Sequence, residues 1–365
     1  MIRNFLRKIL NSIKYNLFRY RIIFGSKLKN LGFNSNIQEQ YYKIDTTQYQ
    51  FYDIPGFTTQ NERKYLYNYG KRSFRNKGCI VELGCAFGSL TVPLLQGLRE
   101  KRFSSKIYVY DLFEFHESFG GVLQNTEFEG NIRYGDSFEY IFKHYTKGFE
   151  DLLEVKNGDI ADSIDFQKPI ELLVIDAMKS ENLAMEIVKK FYPSLIQDSL
   201  VFHQDFCHYH EPWIHILQYK HREFFIPICQ IEDTSTFLFR CKKQFNESDI
   251  QDLDIMSLSN DFVNEAFEYS LSLVSEQPGN QNILACKIFC FMLKHEFELA
   301  YRLIEEVVGS SPHIEEGNLS FVIRIADSIR GRESQITTQY AETSVNPIDD
   351  LDYITDITYS SQNSC

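Results

Sequence analysis

The sequence predicts an α/β fold in which seven strands form a doubly wound, mostly parallel sheet, closed by a C-terminal antiparallel hairpin and followed by an α-helical region. Three observations lead there. Between residues 80 and 203, apolar runs of strand length alternate with helical stretches, the βαβ pattern of a parallel sheet with helices on both faces. Runs end at or just before Glu82, Asp111, Asp159 and Asp176, which places a ligand along the carboxyl edge of that sheet. Finally, the strand-like runs 222–231 and 235–240 are separated by only a short polar turn, as antiparallel neighbours are.

The first unit is the most informative. Ile80-Val81-Glu82-Leu83 is a short strand, Gly84-Cys85-Ala86-Phe87-Gly88 a tight turn, and Ser89 to Thr91 the expected first turn of a helix. Glycine at 84 and 88 lets backbone approach backbone or ligand where a β-carbon would intrude. The amides at the start of the helix then face whatever polar group lies above the strand ends. A dinucleotide-binding turn requires glycine at its first, third and sixth places, which here hold Gly84, Ala86 and Ser89. The pattern present instead, E-x-G-x-x-x-G, resembles motif I of the class I S-adenosylmethionine (SAM) dependent methyltransferases.

That resemblance implies a Rossmann-like methyltransferase sheet over residues 55–244, with SAM as cofactor. It implies SAM contacts from Glu82, Gly84, Ala86, Phe87, Gly88 and Ser89 in the turn. Asp111, with Leu112 beside it, stands where an acid accepts the ribose hydroxyls, and Asp159 with Ile160 borders the adenine. A helix opening near Thr59, with Glu62 three residues on as a capping pair, resembles the helix that precedes the first strand in such enzymes and closes over SAM.

The remaining units follow in order. Lys106 to Tyr110, Leu152 to Val155, Ile170 to Ile175 and Ser199 to His203 read as strands, and Glu181 to Phe191 as a helix. The stretch from Asp111 to Glu150 is long for a βα connection and rich in Phe, Tyr and Gly, with helical spacing from Asp136 to Tyr145. Such a stretch is a lid or substrate loop, or a local aromatic core.

Two strings carry the chemistry. Val174-Ile175-Asp176-Ala177-Met178-Lys179 and Phe202-His203-Gln204-Asp205-Phe206 resemble the metal-dependent O-methyltransferases, among them the sugar O-methyltransferases of macrolide and aminocoumarin biosynthesis. The resemblance implies Asp176, Gln204 and Asp205 as Mg²⁺ ligands, with Asp176 also near the cofactor and Lys179 or His203 taking the proton from a hydroxyl. The chain departs from that pattern. Met178 and Gln204 stand where the sugar enzymes carry acids, which weakens Mg²⁺ binding and leaves room for metal-free transfer. His203, His208, His210 and His215 follow the fifth strand and offer a further base or a soft metal site near Cys207.

Charge is unevenly placed. The first 38 residues hold eight Lys or Arg and no acid, and residues 1–30 form a basic amphipathic helix suited to peripheral membrane contact or to packing on a protein. From Gln251 onward there are 19 Asp or Glu against 6 Lys or Arg, which argues against a nucleic-acid partner. Eight cysteines without a C-x-x-C pair read as reduced, buried side chains of a cytoplasmic protein.

Residues 31–54 read as a connector, 245–345 as helices, and 346–365 as an acidic disordered tail. Within the helical region, Ala266 and Ala300, and Pro278 and Pro312, are each 34 residues apart, a spacing that resembles tetratricopeptide (TPR) repeats over windows 247–280, 281–314 and 315–348. A protein partner on those helices is one implication. The functional expectation is methyl transfer from SAM to a hydroxyl of a small molecule or glycan. The alternative is a SAM-binding scaffold of low activity that works through its helices.

Overall fold

The computed structural model describes residues 53–163, 166–274, 279–310, 314 and 317–331. The basic N-terminal helix, the connector as far as residue 52, the acidic tail and Pro278, Pro312 and Pro347 of the repeat spacing lie outside the described residues.

Seven strands form one sheet: β1 (Cys79–Leu83), β2 (Ile107–Asp111), β3 (Leu153–Asn157), β4 (Ile170–Ile175), β5 (Leu195–His203), β6 (Phe225–Gln230) and β7 (Phe237–Cys241). Their order is β3-β2-β1-β4-β5-β7-β6. The first five are parallel, and β7 runs antiparallel between β5 and β6. β4 is covered on both faces and all six of its residues are buried, five of them apolar and the sixth, Glu171, accepting from the Arg75 and Lys77 amides. Pro227, which has no amide hydrogen to give a ladder, sits in the edge strand β6. The chain winds outward from β1 to β3 and then returns to β4 on the other side of β1. Ligands of open α/β sheets bind at the carboxyl ends of strands at that switch.

The helices are α1 (Gln60–Asn68), α2 (Thr91–Glu100), α3 (Glu139–Tyr145), α4 (Glu181–Phe191), α5 (Pro212–Lys220), α6 (Asn260–Leu273), α7 (Gly279–Leu293), α8 (Phe297–Ser310) and α9 (Asn318–Arg330). α1 opens on a capping box, the Thr59 hydroxyl accepting from the Glu62 amide and the Glu62 carboxylate accepting from the Thr59 amide at 2.6 Å. It packs on α2 in backbone contact. A β-carbon at Gly97 would lie 2.1 Å from the Tyr67 carbonyl oxygen, so only glycine allows that approach.

Two expectations shift in detail. α2 begins at Thr91, just after the Ser89 start predicted, because Leu90 occupies the cap and the Ser89 hydroxyl is bonded elsewhere. The connection after β2 is built on an aromatic core. Phe138 lies 5.0 Å from Phe87, 5.4 Å from Phe113 and 5.4 Å from Phe119 between ring centres, and all but Phe119 are buried.

The helices after the hairpin share a continuous apolar core with the sheet, through Phe245, Ile255, Ala266, Phe267, Cys286 and Ala300 among others. The Asn282 side chain donates to the Cys207 carbonyl, and Glu181 of α4 accepts from the Ile255 amide. Lys294 caps the turn between them with bonds to the carbonyls of Ile255 and Leu258 at 2.8 and 2.9 Å. Residues 247–258 hold two short 3₁₀ turns, Glu247–Asp249 and Ile255–Ser257, so the first repeat window has one helix, whereas the second holds the pair α7 and α8.

Candidate functional site

The turn after β1 is fixed by the sheet below it. Gly84 adopts φ +82°, and a β-carbon there would lie 2.4 Å from the Asp176 carbonyl oxygen, so the turn lies directly against the end of β4. Its amide donates to Tyr110 of β2 and the Asp176 amide donates to Leu83 of β1, so the ends of β1, β2 and β4 are tied together. Asp111 at the end of β2 holds the turn in place, accepting from the Ala86 amide at 2.8 Å and from the Phe113 amide at 2.8 Å. Burial pushes its carboxyl above the ordinary aspartate value, against the pull of those two amides.

The predicted turn residues divide by what their side chains do. Phe87 is fully buried in the aromatic core, which leaves only its backbone for a ligand. The Ser89 hydroxyl accepts from Thr58 at 2.9 Å, and Arg63 donates to Thr58 at 2.8 Å and to the Ile54 carbonyl at 2.9 Å, which fastens the segment before α1 onto the turn. Glu82 is buried at 1 % exposure, and one of its carboxylate oxygens finds no hydrogen-bond partner among the described residues. Burial, with Asp176 and Asp111 adding to it, pushes its carboxyl up to about 8. Leu112 is 55 % exposed beside Asp111. Asp159 caps the short turn of Ile160–Asp162 by accepting from the Ala161 amide, and Ile160 is buried. A cavity of about 1110 Å³, lined in part by Tyr108, Tyr110, Gly158 and Asp159, opens on the β2–β3 side, away from Asp176 and Lys179.

The reactive end lies at β4 and β5. Ile175 pairs with His203, so Asp176 and the turn Gln204–Cys207 stand side by side. The Lys179 ammonium donates to Asp176 at 2.9 Å and makes a second, very short bond to Asp205. Gln204 is buried with its side-chain amide against both oxygens of Asp176, 3.1 Å from Oδ1, and donates to them when the NH₂ is assigned to that side. Burial pushes the Asp176 carboxyl up, Lys179 opposes the rise and Asp205 adds to it. Burial alone would lower the Lys179 value, but Asp176 and then Asp205 outweigh it and hold the ammonium well above the ordinary lysine. The α1 cap reaches the same place: Glu62 accepts from Thr236 of the hairpin turn at 2.5 Å, and its charge is felt at Asp176.

His203 is buried and burial pushes it down to about 4, so it is neutral; its Nδ1 has no hydrogen-bond partner among the described residues. Behind Asp205 the structure gathers a group that the histidine spacing only half revealed. Glu211, 1 % exposed, has carboxylate oxygens 3.0 Å from His208 Nδ1 and 2.9 Å from His210 Nε2. Burial would raise its carboxyl, but the two imidazoles hold it well below the usual range. The donor atoms of these three residues lie within 4.8 Å of one another, a spacing that could hold a metal ion. Glu211 is missed by spacing alone because it lies one residue before a proline, outside any periodic pattern. Cys207, the other donor considered near these histidines, is buried with its thiol pushed up by that burial.

Residues 81–206 match a family described as a methyltransferase domain. The chain carries a methyltransferase domain. The strand order with its antiparallel hairpin is that of a Rossmann-like sheet. Among solved structures, the methyltransferase is similar to the O-methyltransferase NovP, at 13% identity over 50% of this chain and 80% of that one, with a TM-score of 0.39. It is similar to CalS11, a TDP-rhamnose 3'-O-methyltransferase of calicheamicin biosynthesis, at 14% identity over 49% and 76%, with a TM-score of 0.35. A methyltransferase from Geobacter sulfurreducens aligns at 13% identity over 51% and 80%, with a TM-score of 0.33. No curated protein matches the sequence significantly. Among the described residues no helix is long and apolar enough to cross a membrane.

Proposed function

We propose that this methyltransferase transfers the methyl group of SAM to a hydroxyl oxygen of a sugar or another hydroxylated small molecule. The observation that carries the reading is the Asp176–Lys179–Asp205 bridge, set at the ends of two adjacent parallel strands and against the glycine turn. In the transfer, the hydroxyl oxygen attacks the methyl carbon, the carbon–sulfur bond breaks, sulfur keeps the bonding pair, and the hydroxyl proton leaves to a base. Positioning and removal of that proton are what the protein must supply.

We assign the base to Asp176. Burial raises its pKa, which makes its carboxylate a stronger base than an exposed aspartate near neutral pH. Lys179 is held as an ammonium by two carboxylates and must lose both bonds before it accepts a proton, so its role is to position Asp176. His203 is enclosed at 1 % exposure and forms the wall behind them. The sugar reading rests on the resemblance of the strings around Asp176 and Gln204 to sugar O-methyltransferases. The partly exposed imidazoles of His208 and His210, held against Glu211, offer hydrogen-bonding groups that suit a polyhydroxylated acceptor.

The test is transfer of labelled methyl from SAM to a panel of nucleotide sugars, glycosides and phenols. Asp176→Asn is expected to lower kcat by about 10²–10⁴, the usual worth of a general base, while SAM affinity changes by less than about threefold. Methylation of amines alone, or an Asp176→Asn enzyme as fast as wild type, would sink this assignment.

A further inference from the structure

The resemblance to metal-dependent O-methyltransferases implies a divalent cation on positions 176, 204 and 205. The side chains present there are arranged differently. Lys179 places its ammonium between Asp176 and Asp205, in contact with both. Gln204 packs its side-chain amide against Asp176, and the assignment that satisfies both groups turns its NH₂, a donor, toward the carboxylate. A magnesium ion requires oxygen ligands at about 2.0–2.1 Å in near-octahedral array. The space between the two carboxylates instead receives nitrogen donors from two sides.

We propose that Lys179 is a built-in cation that takes the place of the divalent metal, so that this site works without one. The proposal rests on the methyltransferase reading and deepens it. Gln204 suits that exchange, because an acid there would set three carboxylates against one ammonium. Met178, the other departure from the sugar-enzyme pattern, is buried, and its carbonyl accepts from the Trp213 indole at 2.6 Å, so its side chain belongs to the core and not to this cluster. A covalently tethered cation is always at full occupancy, and it fixes Asp176 relative to Asp205 before SAM or acceptor arrives.

Manganese(II), followed by electron paramagnetic resonance, is the probe. On full-length protein, wild type and Asp176→Asn are expected to show the same Mn²⁺ uptake, any signal common to both arising elsewhere, such as at His208, His210 and Glu211. The double variant Lys179→Ala/Gln204→Glu is expected to gain one site per chain, binding at least about tenfold more tightly than wild type does, and to lose it when Asp176→Asn is added. A wild-type Mn²⁺ site that Asp176→Asn abolishes overturns the proposal, and so does a folded double variant that gains no site. If the double variant fails to fold, the comparison of wild type with Asp176→Asn decides alone. SAM binding by calorimetry is measured on the same samples: its absence from wild type would count against the methyltransferase reading and leave the Mn²⁺ comparison standing.

Discussion

Replacing Glu82 with glutamine should make the protein more stable, and only on the alkaline side. Glu82 is buried, and its carboxyl is raised from 4.5 to about 8 by that burial and by Asp176 and Asp111. A carboxyl whose folded value lies above its unfolded value holds its proton more tightly in the native state. Stability is therefore unaffected below pH 4.5 and falls as pH rises toward 8, above which the loss is complete. A tenfold difference in proton affinity between the folded and unfolded chain is worth about 1.4 kcal/mol, which sets a ceiling of about 5 kcal/mol on the loss. Glu82→Gln removes the ionisation and keeps the shape. Thermal melts of both proteins at pH 4 and pH 8 should agree at the lower pH, and at the higher pH the variant should melt several degrees above wild type. Melting curves that move in parallel between the two pH values would show that Glu82 does not titrate in this window and would refute the reasoning.

Other outcomes follow from the same geometry. A cationic ligand above the strand ends favours the ionised form of Glu82, so SAM binding below pH 8 should release a proton and tighten as pH rises; calorimetry in buffers of different ionisation enthalpy reads this, and Glu82→Gln should abolish it. Gly84→Ala places a β-carbon 2.4 Å from the Asp176 carbonyl at a φ of +82° and should abolish SAM binding, measured by equilibrium dialysis. Phe138→Ala empties the centre of the aromatic core and should cost about 3–5 kcal/mol in urea unfolding. Because Phe87 of the turn leans on that ring, SAM affinity should fall with it.

Features carried by near neighbours in the chain were legible. The β4 run Ile170–Ile175 and the helix Glu181–Phe191 are found within the bounds their patterns predict, since a mostly apolar run and a 3.6-residue stripe are local signals. The Thr59–Glu62 capping box, three residues apart, was equally readable. What escaped is long-range. Glu62 also meets Thr236, 174 residues away, and Lys179 meets Asp205 across 26 residues, pairings that no periodicity announces. The sequence marks Phe87 and Ser89 as turn residues, but only the fold reveals that the ring faces an aromatic core and that the hydroxyl is taken by Thr58. The spacing of the small residues Ala266 and Ala300 was visible and both are buried, yet their burial against a core shared with the sheet depends on contacts that a repeat pattern does not encode.

The shared core beneath α6 to α9, with Lys294 laced to the carbonyls of the preceding turn, has a practical consequence for anyone handling this protein. A truncation at the end of the hairpin would remove Phe245 and Phe267 and uncover Tyr192, Phe224, Phe225 and His215, which they pack against, so the shortened product should aggregate on expression. Helices and sheet should denature in a single calorimetric peak. A protease that nicks the linker near residue 245 should leave the two fragments clinging together through gel filtration.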